Sequence, residues 1–176
     1  MKFIPQYIPD VLIIEPQVHI DERGYFMETY RHDLLEEKLG YQVNFVQDNE
    51  SKSSLRGVLR GLHYQTPPFS QSKLVRVIEG KVLDIALDIR RNSKTFGQYI
   101  SVELSDKNKR QVFIPSGFAH GFVVLSESAI FAYKVDNYYS KSHEKGIAYD
   151  DKDLNIDWQL SDAELLLSTA DQSYPT

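Results

Sequence analysis

A chain of 176 residues, 41% of them hydrophobic, suits one domain with a full core, leaves little room for a second, and has neither a disordered nor a membrane-embedded composition. Lys and Arg number 20 against 25 Asp and Glu, a formal net charge of −5, which argues against non-specific binding to nucleic acid or anionic membrane and leaves any anionic ligand to local cations. The absence of cysteine excludes disulfides, thiolate nucleophiles and cysteine zinc sites; with no charged-then-apolar leader and no apolar run of about 18 residues, a cytoplasmic location is expected.

In chain order, Val11–Ile14 is a short apolar run closed by Pro16 and predicts a strand. Asp21–Gly24 predicts a turn and Tyr25–Tyr30 a second strand. Arg23 and Glu28 flank it, and on this stretch alone they belong to a solvated surface. Asp33–Gly40 predicts a short helix with Asp33 as N-cap, Leu35 and Leu39 on one face, and Gly40 as the stop. Gln47–Ser54 is polar throughout and predicts a surface loop, in which Gln47 and Asn49 are suited to read the polar edges of a ligand.

Val58–Tyr64 predicts a strand broken by Gly61. His63 and Gln65 share a face by parity, and Arg60 takes the other face unless Gly61 sits at a bulge. Thr66–Ser72 carries two prolines and predicts a loop at a barrel mouth. Lys73, Val75 and Val77 share a face of the next strand. Glu79-Gly80 then predicts a hairpin into Val82–Ile89, where Leu83, Ile85, Leu87 and Ile89 alternate with smaller or acidic residues.

Arg90–Gly97 predicts a solvated basic turn. Further strands are predicted at Tyr99–Leu104, Gln111–Ile114, Gly121–Leu125 and Ala129–Val135, the last with Phe131, Tyr133 and Val135 on one face. Asn137–Gly146 predicts a loop. Ser161–Glu164 fits a capping box for a short helix through Leu167, with Asp171 in the tail beyond. Many short strands with close turns and few helices predict an all-β antiparallel jelly-roll barrel over residues 1–176, enclosing a cavity lined by alternate residues.

The segment from Gly57 to His63, together with Pro115-Ser-Gly-Phe-Ala-His120, resembles the two signature segments of cupin barrels. In that pattern a metal is held by two His one residue apart, a later Glu and a further His. Here Gln65 stands two residues after His63, no acidic residue falls near Phe69 and Ser70, and only His120 remains, so no metal is expected. On position alone His63 reads as a core histidine satisfied by hydrogen bonds. Lys73 and Tyr133, with access to the same space, change that reading. A His free of metal is suited to act as a base near neutral pH. A buried Lys needs an anionic partner, and an enolate oxygen would be one. A Tyr hydroxyl is suited to deliver a proton from the opposite side. Base, cation and acid together suit epimerisation next to a carbonyl, with no cofactor, nucleophile or metal. Ser116 lacks the setting of a nucleophile elbow.

Longer motifs narrow the resemblance. Asp-Glu-Arg-Gly (21–24), Val-Gln-Asp-Asn (46–49), Ser-Lys-Ser-Ser (51–54), Gly-Val-Leu-Arg-Gly-Leu-His-Tyr-Gln (57–65), Lys-Leu-Val-Arg (73–76), Gly-Phe-Ala-His-Gly-Phe (117–122) and Asn-Tyr-Tyr (137–139) closely resemble the dTDP-4-dehydrorhamnose 3,5-epimerase family. The likeness runs from about residue 10 to about 171. It implies His63 as the base at C3 and C5 of dTDP-4-dehydro-6-deoxy-D-glucose, Asp171 as its acidic partner, Tyr133 as the acid on the far face and Lys73 as the cation beside the C4 enolate. It also implies substrate contacts from Arg23, Glu28, Gln47, Asp48, Asn49, Arg60, Lys73, His120 and Glu144, and a homodimer with exchanged N-terminal strands, so that Arg23 and Glu28 serve the partner's site. One departure stands out. The family's Leu-Ser-x-Lys-Asp is Leu167-Ser-Thr-Ala-Asp171 here, with Ala170 at the Lys position. Two alternatives stand beside this reading: an epimerase acting at C3 only or on another nucleotide sugar, and a non-catalytic sugar-binding barrel.

Overall fold

The computed structural model describes residues 1–176. Its strands are β1 (Lys2–Pro5), β2 (Leu12–Glu15), β3 (Val18–Asp21), β4 (Gly24–Met27), β5 (Gln47–Ser53), β6 (Leu59–Gln65), β7 (Lys73–Glu79), β8 (Lys81–Asp88), β9 (Tyr99–Ser105), β10 (Gln111–Ile114), β11 (Phe118–Val124), β12 (Ala129–Val135) and β13 (Glu144–Gly146). One α-helix, α1 (His32–Leu39), lies between β4 and β5. No helix is long and apolar enough to cross a membrane.

Two antiparallel sheets form the barrel. One has six strands in the order β1-β2-β10-β7-β12-β5, the other five in the order β13-β6-β11-β8-β9; β3 and β4 form a separate two-stranded ribbon. This is the jelly roll of the cupin barrels, as the strand pattern predicts. The core between the sheets joins Val75, Val77, Val112, Ile114 and Phe131 of the first to Val82, Ala86, Ile100, Phe118 and Phe122 of the second. The opposite face of β8 is apolar too: Leu83, Ile85 and Leu87 are buried under the C-terminal segment with Trp158 and Leu165. The alternation in β8 therefore separates two cores, and its smaller and acidic members, Asp84 among them, are the ones on the barrel side. Burial at about 1.5–3 kcal/mol per large apolar side chain makes these two layers the main source of cohesion.

Four local expectations are corrected. Residues 47–53 are not a loop but the edge strand β5, paired with β12 in the register Tyr133↔Asn49. The strand lacks apolar residues because it lies at the sheet edge, where polar side chains are tolerated and discourage further pairing. Glu79-Gly80 does not close a hairpin: β7 pairs with β10 and β12, whereas β8 pairs with β11 and β9, so the turn carries the chain from one sheet to the other. Gly80 allows this with a φ of 83°. Asp33 is not the N-cap of α1. Arg31 takes that position, and Asp33 in the first turn accepts from its Nε at 2.9 Å. Gly40 does stop the helix, in the left-handed conformation. The capping box Ser161–Glu164 is formed, but it opens only the 3-10 turn Asp162–Glu164.

The irregularity expected at Gly61 is present. The pairing of β11 with β6 shifts register between His120 and Phe122, and Gly61 has a φ of 121°. A Cβ there would lie 2.6 Å from Gly121 Cα and 2.7 Å from the His120 carbonyl oxygen. Gly61→Ala is expected to lose about 2–4 kcal/mol of stability, read as a lower urea midpoint at unchanged slope; a loss under about 1 kcal/mol would show that the two strands can part there.

Candidate active site

The bulge at Gly61 has a consequence for the side chains around it. Arg60 and His63, of opposite parity in a regular strand, both line one cavity of about 320 Å³. Lys73 at the start of β7, His120 of β11, Tyr133 of β12 and Glu144 of β13 line the same space, as does Asp171 from the C-terminal turn. An adjoining pocket of about 230 Å³ shares His63, Lys73, Tyr133 and Glu144 and adds Gln47 and Asn49. Both Gln47 and Asn49 reach it because alternate residues of β5 point inward. No group of three or more His, Asp or Glu side chains is arranged to hold a metal ion.

His63 is tied to Asp171 by a hydrogen bond of 2.6 Å from Nε2 to Oδ1. Burial pushes the Asp171 carboxyl up, but the hydrogen bonds from His63 and from Ser168 Oγ, at 2.7 Å, outweigh it and leave its pKa lowered. An ionised carboxylate only accepts, so Nε2 carries the hydrogen and Nδ1 keeps a free lone pair. A second pair lies beside the first: His120 Nε2 donates to Asp84 Oδ2 at 2.8 Å, both residues being buried. Burial holds the His120 pKa below its usual value despite the Asp84 charge, so this ring is neutral at neutral pH.

Lys73 makes no ion pair. Burial lowers its pKa from 10.5 to about 8, against the raising influence of Asp84 and Glu144. It remains a cation at neutral pH with its charge uncompensated at close range, which suits a site where negative charge appears during a reaction. Burial raises the Tyr133 pKa, so the phenol is a proton donor there. A base, a cation and an acid thus meet in one cavity.

Three expected substrate contacts lie elsewhere in the chain. Asp48 faces away from the cavity on β5 and accepts from Lys134 Nζ at 2.8 Å. Its odd–even offset from Gln47 and Asn49 follows from the strand that the polar composition concealed. Arg23, at the tip of the β3–β4 ribbon, pairs with Asp21, and Glu28 pairs with Arg31 at 3.4 Å; both are exposed. Sequence reasoning passed over Asp84, although an acidic residue in an otherwise apolar strand was the available signal. It also passed over Tyr139, whose hydroxyl donates to Glu144 at 2.9 Å at the cavity rim.

An antiparallel jelly-roll barrel holding this constellation defines an acid–base type of site within the cupin fold. The family model for dTDP-4-dehydrorhamnose 3,5-epimerase matches residues 5–176. The epimerase of that name from Shigella flexneri is 55% identical over 171 residues, spanning 97% of this chain and 93% of that protein. The crystal structure of the Elizabethkingia anophelis enzyme superposes with a TM-score of 0.95 at 52% identity, over 99% of this chain and 95% of the other. The Legionella pneumophila enzyme, crystallised with dTDP-4-keto-L-rhamnose, gives 0.94 at 49% identity, over 99% and 91%. The chain belongs to the dTDP-4-dehydrorhamnose 3,5-epimerase family.

The lowered pKa of Lys73 has a sign for stability. The folded chain binds this proton more weakly than the unfolded chain, so the residue costs stability at pH 7, and the cost disappears as pH rises from about 8 to 10.5. Lys73→Met is expected to raise stability at pH 7 by on the order of 1–2 kcal/mol, after allowance for partial solvent access, while abolishing turnover. Thermal unfolding at pH 7 and pH 10 checks it: the gain must shrink at the higher pH.

Proposed function

We propose that the protein is a dTDP-4-dehydrorhamnose 3,5-epimerase, converting dTDP-4-dehydro-6-deoxy-D-glucose to dTDP-4-dehydro-L-rhamnose for rhamnose biosynthesis without cofactor or metal. The observation that carries this reading is the convergence of His63, Lys73 and Tyr133 on one cavity, with His63 backed by Asp171. His63 Nδ1 takes the proton from the carbon next to the C4 carbonyl. The C–H electron pair becomes an enolate whose oxygen is met by the Lys73 ammonium. Tyr133 returns a proton to the opposite face, inverting the centre, and solvent restores both groups. The same sequence on the other flank of the carbonyl inverts the second centre. Charge that develops only in the enolate is stabilised by a cation that was unpaired beforehand, which lowers the barrier rather than tightening ground-state binding.

Arg60 donates to the nucleotide diphosphate, His120 accepts through Nδ1 from a sugar hydroxyl, and Gln47, Asn49 and Glu144 bind from the adjoining pocket. Arg23 and Glu28, near the exposed ribbon, serve the partner's site in a homodimer with exchanged N-terminal strands. The exposure of Ile20 at 81% and Phe26 at 68% on that ribbon supports a subunit contact there. The whole of 1–176 is one epimerase domain, working in the cytoplasm.

The test is incubation with dTDP-4-dehydro-6-deoxy-D-glucose in deuterated water. Label is expected at both C3 and C5; label at C3 alone would make the protein a 3-epimerase, and none would leave a sugar-binding barrel. His63→Ala is expected to lose at least about 10³-fold in exchange while retaining nucleotide binding. Tyr133→Phe should slow completed inversion while partly sparing proton loss at C3, measured as exchange against product formed; equal loss of the two would contradict the role of the phenol. On the alkaline side, kcat/KM should fall with an apparent pKa near the Lys73 value of about 8.

A further inference from the structure

None of these roles accounts for Tyr174. The residue follows the 3-10 turn Asp171–Ser173, and its backbone is held from behind, since the Pro175 carbonyl accepts from the Ala148 N–H at 2.8 Å. Its ring stands edge-on to His63, with centroids 5.5 Å apart and planes at 73°. Beneath the ring is Gly146, the residue opposite His63 in the β13–β6 register. A Cβ at Gly146 would overlap the ring carbons, so only glycine leaves the ring its place. The ring also lines the main cavity, beside Ala170.

We propose that Tyr174 is a positioning residue for the epimerisation: its ring holds the His63 imidazole against swinging about the hydrogen bond to Asp171, and so sets the line along which Nδ1 meets the substrate carbon. The inference rests on the epimerase reading above. Asp171 fixes one ring nitrogen, but a single hydrogen bond leaves the imidazole free to pivot about it. An aromatic edge on one flank removes that freedom, and the glycine beneath keeps the aromatic ring seated. Misplacing a reacting group by about 1 Å costs on the order of 100-fold in rate. Position matters here more than the hydroxyl, whose pKa is raised by burial and then by Glu144 and Asp171, so that it stays protonated.

Steady-state kinetics with dTDP-4-dehydro-6-deoxy-D-glucose, alongside deuterium exchange, test this on Tyr174→Phe, Tyr174→Ala, Gly146→Ala and the Tyr174→Ala/Gly146→Ala double variant. Tyr174→Phe, which keeps the ring, is expected to stay within about threefold of the parent. Tyr174→Ala is expected to lose about 10- to 100-fold in kcat with KM within about threefold. Gly146→Ala, which displaces the ring, should reproduce that loss, and the double variant should be no worse than either single one. Tyr174→Leu, which fills the space without an aromatic edge, replaces the alanine variant if that one fails to fold, with the same expected loss. Unchanged kcat in Tyr174→Ala, a rise in KM in place of the loss in kcat, equal losses in Tyr174→Phe and Tyr174→Ala, or losses that multiply in the double variant would each overturn the proposal. A parent protein that exchanges no deuterium overturns the epimerase reading instead, whereas an exchanging parent with unaffected variants overturns only the role of Tyr174.

Discussion

The hydrogen bond between His63 and Asp171 joins residues 108 positions apart, and much of the site's order depends on it. Asp171 is buried, and it is held by Ser168 as well as His63. If the turn Asp171–Ser173 left the barrel, the Asp171 carboxylate would be hydrated but His63 would lose its hydrogen-bond partner, so this bond ties the turn to β6. The same bond fixes the tautomer of His63 and leaves one lone pair for chemistry. The 3-10 turn Asp171–Ser173 forms part of the cavity wall through Asp171.

The rest of the cavity is an exercise in uncompensated charge. Lys73 forms no ion pair, and Asp84, whose charge reaches it, is hydrogen-bonded to His120 instead. The arrangement keeps one ammonium available and holds a neutral imidazole beside it. Such a balance costs stability at pH 7: apolar residues of equal volume would pack better than a buried ammonium.

The barrel was readable because β7, β8, β9 and β12 alternate clearly in Val, Ile, Leu and aromatic residues. The polar β5 was hidden, since its stability comes from the backbone ladder to β12 rather than from apolar burial, and a composition-based reading sees only a loop. The false hairpin at Glu79-Gly80 has another cause. A tight glycine turn is compatible with either pairing back or crossing to a second sheet, and only tertiary packing decides between them. His63, Lys73 and Tyr133 were legible from their chemistry; Asp84 was lost in a strand whose alternation was read as one buried face when both faces are covered. Tyr174 was out of reach, because nothing local connects a tail aromatic to a glycine 28 positions earlier.

That doubly covered strand, β8, links the outer layer to the cavity. Leu83 and Ile85 lean on the C-terminal coil, and Asp84 between them leans into the barrel. Any repacking beneath Trp158 or Leu165 therefore shifts the backbone on which the buried carboxylate rides. The outer layer and the cavity wall therefore share one backbone, that of β8, and are not mechanically independent in this molecule.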